Sequence, residues 1–148
     1  MLENCDQLFN DLVKLNQSDR PTHFFGSIVT SSADGYGFNR LVIDGQQRLT
    51  TISLLLLAGI KAVKDGKLTV SNESRLSEAR EVFLLAKYST ADRKIKLVPI
   101  ENDMKAYDLI FEDEGTFIED SKVTRNYRHF YDLLTKAPQQ ISFDELLD

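Results

Sequence analysis

Leu41-Val42-Ile43-Asp44-Gly45-Gln46-Gln47-Arg48-Leu49-Thr50-Thr51 decides how the chain is read. Four residues before Gly45 have the composition of a short strand, Arg40 to Ile43 with Leu, Val and Ile. Asp44-Gly45 breaks it. From Gln46 to about Lys64 the apolar residues Leu49, Ile52, Leu55, Leu56, Ile60 and Val63 recur at helical spacing, and Leu54 and Leu57 widen the face. A helix this apolar belongs in the core, and Asp65-Gly66 ends it. The segment therefore predicts a strand, a turn and a buried helix, with a polar cluster at the junction.

Two readings of that junction stand side by side. In the first, the free N–H groups and dipole of a helix start favour an anion such as phosphate. Gly45 permits close backbone approach, and Arg48 adds a permanent planar cation. Asp44 suits a magnesium ion, and Gln46 and Gln47 can orient water or read a base edge. In the second, Asp44 caps the helix and Gln47, three positions on, closes a D-x-x-Q capping box. The Gly-rich run and Lys-Ser/Thr of a Walker loop are absent.

Outward from the junction, Leu2, Cys5, Leu8, Leu12 and Leu15 mark an amphipathic helix ending near Asn16. Pro21 breaks it. His23 to Thr30 reads as a strand, and Ser31 to Gly37 as the loop joining it to Arg40–Ile43. Ser71 is placed to cap a helix with Leu76, Ala79, Phe83 and Ala86 facing inward. Lys94 to Ile100 alternates and reads as a third strand, with Pro99 near its end. Asn102 to Phe111 forms a helix, and Glu112 to Gly115 an acidic turn. Asp120 or Ser121 opens a further helix bearing Val123, Tyr127, Phe130, Tyr131 and Leu134. On it, Arg125, Asn126 and Arg128 read as a polar strip and His129 as solvated face.

Ser142-Phe143-Asp144-Glu145 is a capping box followed by only three residues. It announces a helix that the chain does not continue, which reads as a polypeptide cut from a longer one; a short terminal turn is the alternative.

The totals set limits. The chain has 148 residues, 42% hydrophobic and 28% charged, enough for one domain with a real core. We expect a single domain over residues 1–148, with a core over 20–100 and a helical extension over 101–148. The net charge of −5 argues against autonomous, non-specific DNA binding and leaves room for a local basic patch. Cys5 is the sole cysteine, so no internal disulfide forms, and no Cys/His cluster has metal-ligand spacing. No secretory signal is visible, and the longest apolar run, Leu54 to Ile60, is too short for a bilayer. No membrane partner and a cytoplasmic location are the default.

Val42 to Thr51, with Asp44-Gly45-Gln46-Gln47-Arg48 at its centre, resembles the DGQQR signature of the GmrSD-type restriction endonuclease N-terminal domain, a relative of the ParB and sulfiredoxin-like fold. His23 to Val29 is similar to the family's strand before the signature, and Ser121 to Tyr127, ending in Asn126-Tyr127, to its later helical element. The resemblance implies an NTPase or nucleotide-sensing module that helps restrict foreign, often modified, DNA, with an HNH-type nuclease as a further domain or subunit. It implies magnesium and a nucleoside triphosphate as cofactors. Asp44, Gln46, Gln47 and Arg48 would be the catalytic set, with Asp44 the metal ligand. Gly45, Arg48, Thr50 and Thr51 would bind the nucleotide and its phosphates; from its place on the strand beside the one leading to Asp44, His23 either joins them or stands in solvent, and Asn126 either reaches them or ties down a loop. The family usually opens with a segment of the type I-P-x-Y-Q-R, which this chain lacks. No H-N-H pattern is present, His23 and His129 being the only histidines, so the chain alone is expected to be inactive.

The fold expected is α+β: a small mixed sheet of about three strands carrying the DGQQR turn, packed against five or six helices. Three functions remain in play: an enzyme module, a sensor without turnover, and a structural helix cap.

Overall fold

Buried leucines organise the molecule. In the computed structural model, which describes residues 2–18, 26–32, 39–86, 94–113 and 115–148, helix α2 (Gln46–Lys64) buries every residue from Leu54 to Ile60 and also Ala62. A helix apolar on nearly all sides needs neighbours on all sides. Helix α5 (Lys122–Thr135) supplies the broadest contact, sending Val123, Tyr127, Phe130 and Leu134 inward. Helices α1 (Leu2–Asn16) and α4 (Glu101–Glu112) pack on α5, and α6 (Phe143–Leu147) packs on α2. Buried residues from Cys5 to Phe143 form one hydrophobic cluster. Each large side chain enclosed there contributes roughly 1.5–3 kcal/mol.

The expected helix starts form through local hydrogen bonds. Ser121 Oγ accepts from the Val123 amide at 3.2 Å and caps α5. At α6, Ser142 Oγ accepts from the Glu145 amide and Glu145 Oε2 accepts from the Ser142 amide, completing the capping box. Gly66, at φ +70°, follows the end of α2 as Asp65-Gly66 led us to expect.

Helix α3 (Ser74–Ala79) departs from expectation. Ser71 does not cap it; its amide and hydroxyl both donate to the Asp144 carboxylate, at 2.7 and 2.8 Å. After Ala79 the chain widens into a π-helical turn, Arg80–Leu84, closed by the Leu85 amide on the Arg80 carbonyl at 3.0 Å. That turn shifts the helical phase. Leu84 therefore enters the core, while Phe83, expected inside, stands half exposed.

The fold is α+β: among the described residues, six α-helices and a two-stranded antiparallel sheet. Strand β1 (Val29–Ser32) pairs with β2 (Arg40–Asp44), Thr30 facing Val42 and Ser32 facing Arg40, with an irregularity after Val29. Ser31 and Ser32, expected in the loop, thus belong to the strand. Lys94–Ile100 contributes one antiparallel bridge, Ile95 to Leu85, in place of a full third strand. Its alternation still holds, since Ile95 and Leu97 pack against the core. The alternation runs on past Leu97, with Pro99 buried and Val98 and Ile100 exposed, but Pro99 offers no donor to a ladder. Pro21, residues 23–25 of the expected first strand and residues 33–37 of the expected loop lie outside the described residues. Among the described residues no helix is long and apolar enough to cross a membrane.

Candidate functional site

The turn between β2 and α2 is built around a glycine. Gly45 has φ +97°, the left-handed region in which a side chain is strained. A Cβ there would also stand 3.0 Å from Ile28 Cγ1 and 3.3 Å from Ile28 Cα. Glycine thus meets two demands at once: the backbone angle and the close passage of the segment entering β1. Gly45 is itself the N-cap, and no side chain caps α2. The expected Asp44–Gln47 capping box does not form. Asp44 remains the last residue of β2, paired with Val29, so its carboxylate is held one residue too early to cap.

The side chains that follow tie the turn to its surroundings. Gln46 Nε2 donates to the Val42 carbonyl at 2.6 Å, back onto the strand. Arg48 Nη1 donates to the Ser27 carbonyl at 2.5 Å. The same guanidinium lies over Gly26, its Cζ and Nε 3.0 Å from where a Cβ would be. Gly26, at φ +108°, is therefore the second glycine required by this junction. Gln47 Oε1 accepts from Lys122 Nζ at 3.0 Å, joining α2 to the first residue of α5. Thr50 Oγ1 and Thr51 Oγ1 donate to the carbonyls of Gln46 and Gln47, at 3.0 and 2.6 Å.

Asp44, Gly45, Gln46, Gln47 and Arg48 therefore surround one turn, with Asp44, Gln46 and Gln47 exposed and Arg48 half-buried. Asn126 is buried on α5, about 6 Å along the helix axis from Lys122. His23 lies outside the described residues. Lys122 is the contributor that sequence reasoning missed. One signal was present: a lysine directly after the Ser121 cap opposes the helix dipole, which favours acids in a first turn.

Two other polar residues of α5 serve elsewhere. His129, read as solvated, has its Nε2 2.6 Å from Asp6 Oδ1 and joins α5 to α1. Arg128 makes a two-armed pair with Glu119, and Asn126 is buried while Arg125 and Arg128 are exposed, so the three do not form one strip. At the other end of α2, about 20 Å from Gln47 along the axis, Lys61, Asp65, Phe117, Tyr127 and Tyr131 help line a groove of about 330 Å³. Its polar groups are mutually engaged: Tyr131 donates to Asp65 at 2.6 Å, and Lys61 to Asp113 at 3.1 Å. Burial first, then the Asp65 bond, pushes the Tyr131 phenol up to about 12.

No group of three or more His, Cys, Asp or Glu among the described residues is arranged to hold a metal. Asp44 alone suits magnesium only where phosphate oxygens and water complete the shell.

A family model described as "GmrSD restriction endonuclease, N-terminal domain" matches residues 2–147. The chain belongs to that family. No curated protein and no solved structure matches it. Membership of a restriction endonuclease family directs attention to the β2–α2 turn of this GmrSD N-terminal domain. There an uncapped helix start, an exposed carboxylate and an arginine occupy one corner.

Proposed function

We propose that this GmrSD N-terminal domain handles a nucleoside triphosphate at the β2–α2 turn, in the service of restricting foreign or modified DNA. The observation that carries the reading is the N-terminus of α2, closed by a left-handed glycine and free of any side-chain cap. Its first-turn amides are suited to phosphate oxygens. Arg48, one helical position from Gln47, brings the permanent cation, and Gln46 and Gln47 stand exposed to orient water or the base. Thr50 and Thr51 hold the first turn in shape through their bonds to its carbonyls. Asp44 would hold magnesium arriving with the triphosphate, and the ion would neutralise phosphate charge there. Cleavage of DNA falls, in this reading, to an HNH-type nuclease on a separate domain or subunit.

A second reading, binding without turnover, is favoured by one contact. Arg48 is already committed to the Ser27 carbonyl. A phosphate drawing on that guanidinium alters the link between α2 and the segment entering β1, which is how a sensor transmits occupancy.

The test is calorimetric binding of a panel of nucleoside triphosphates, with and without magnesium, to the chain and to its Arg48→Ala and Gln47→Ala variants. Magnesium-dependent binding lost in Arg48→Ala supports the pocket, and phosphate release then separates enzyme from sensor. Absence of binding by the folded chain and by any longer form containing it would sink both readings.

A further inference from the structure

Strand β2 is an outer strand, and among the described residues nothing pairs with its second edge. No other named element packs broadly on the hairpin. Leu41 and Ile43 alternate onto one face of β2 and are 58% and 62% exposed, and Val29 on β1 is 46% exposed. A two-stranded sheet is marginal in water by itself, and an unpaired apolar edge is a template for another strand.

The residues of β2 specify which strand that is. Arg40-Leu41-Val42-Ile43-Asp44 is self-complementary about Val42. Laid antiparallel on a second copy, with a twofold axis at Val42, Arg40 faces Asp44 of the partner subunit at both ends. Leu41 faces Ile43 of the partner subunit, so apolar pairs fill the middle. A parallel arrangement would instead set arginine beside arginine and aspartate beside aspartate, which repels.

We propose that two copies of this chain associate edge to edge through β2, making one four-stranded antiparallel sheet with twofold symmetry. Existing contacts leave room for this. Arg40 Nη1 donates to Ser32 Oγ at 3.2 Å, which uses one of five guanidinium donors. The Val42 carbonyl accepts from Gln46 at 2.6 Å, and a carbonyl has a second lone pair. One five-residue strand pair is a small interface and the net charge of −5 opposes association, so the dimer is weak and forms at high concentration. Asp44 holds a cation in both this inference and the proposed function, a guanidinium here and a metal there, so the experiment reads mass and not ligand binding.

Sedimentation velocity over a wide concentration range tests the idea on the chain and on Arg40→Asp, Leu41→Lys, Asp44→Arg and the Arg40→Asp/Asp44→Arg pair. Circular dichroism checks that each retains its helices, as expected for changes at exposed hairpin positions. The unmodified chain shifts from monomer to dimer mass as concentration rises. Each single change weakens association about tenfold or more: Arg40→Asp and Asp44→Arg turn an attraction at two symmetric positions into a repulsion, and Leu41→Lys replaces an apolar cross-strand pair at two. The double reversal restores it, because the opposite charges meet again in exchanged places. A monomer at every concentration overturns the proposal. So does a dimer that the single changes leave untouched, or one that the double reversal fails to recover.

Discussion

Gly59 sits in the fully buried stretch of α2 that α6 packs against, and replacing it by alanine sets two effects against each other. Alanine favours a helix interior over glycine by roughly 1 kcal/mol. The new methyl, however, would stand 3.0 Å from Leu146 Cδ2, 3.1 Å from Phe143 Cε2 and 3.2 Å from Phe143 Cδ2. Carbon atoms are comfortable at about 3.5–4.0 Å, so all three contacts are short. Leu146 is half-buried and can swing away. Phe143 has no exposed surface, and its ring has nowhere to go. Overpacking of this kind costs about 1–3 kcal/mol, and with the rigid ring in two of the three contacts we take about 2. The net expectation is a loss of about 1 kcal/mol, seen in urea as a lower midpoint with an unchanged slope. Shortening the obstacle provides the control. In a Phe143→Leu background the methyl has space, and the same glycine-to-alanine change stabilises by roughly its full helical preference of 1 kcal/mol. The two substitutions are therefore coupled by about 2 kcal/mol. If Gly59→Ala alone stabilised the chain by that full amount, α6 would not dock on this turn and the packing argument would fail.

Thr124 is fully buried and its hydroxyl has no hydrogen-bond partner among the described residues, so Thr124→Val should raise stability by about 1 kcal/mol in the same assay. Bonds from the Ser71 side chain and amide, then Arg75, hold the Asp144 carboxyl below its usual 3.8; the Ser142 amide leads in holding Glu145 below its usual 4.5. Depressed carboxylates stabilise the fold above their unfolded values and lose that contribution as pH falls through the folded ones. Acid titration should therefore show stability falling from about pH 4.5 downward, with a flatter limb in Ser71→Ala. Tyr131 ionises in the unfolded chain near 10 and in the folded one near 12, so ultraviolet titration should find its phenolate late. Stability should then decline from pH 10 to about 12, and Asp65→Asn should bring that titration earlier.

The parts of the fold legible in the sequence are those whose causes lie within a few residues. The ends of α2 at Gln46 and Lys64 follow from an apolar run bounded by two Asp-Gly pairs. The Ser121 cap and the Ser142–Glu145 box are hydrogen bonds between neighbours. What stayed hidden acts at a distance. Ser71 has the chemistry of a cap but is taken by Asp144, 73 positions away. His129 looks like solvated surface until Asp6, 123 positions away, comes beside it. Phe83 and Leu84 exchange roles because the π-helical turn changes the period on which inward positions are counted.

The candidate site divides along the same line. Asp44 to Arg48 are contiguous, so a motif could bring them forward together, and the turn does set them around one corner. The difference between a capping box and an open helix start is a shift of one residue. Local chemistry alone favours Asp44 as the cap, since aspartate accepts from first-turn amides. Pairing of Asp44 with Val29 keeps it extended in β2, and the closeness of Ile28 demands the left-handed glycine next to it. Both constraints come from β1 and the residue just before it, which no window around the motif contains. The same holds for the partners of the polar side chains: Ser27 lies 21 positions before Arg48, and Lys122 lies 75 positions after Gln47. The motif thus joins three separate parts of the chain, the entry to β1, the start of α2 and the start of α5. Its residue types are readable from the sequence. Their tension between holding the fold and meeting a ligand is visible only where Arg48 reaches the Ser27 carbonyl, because one guanidinium must serve both.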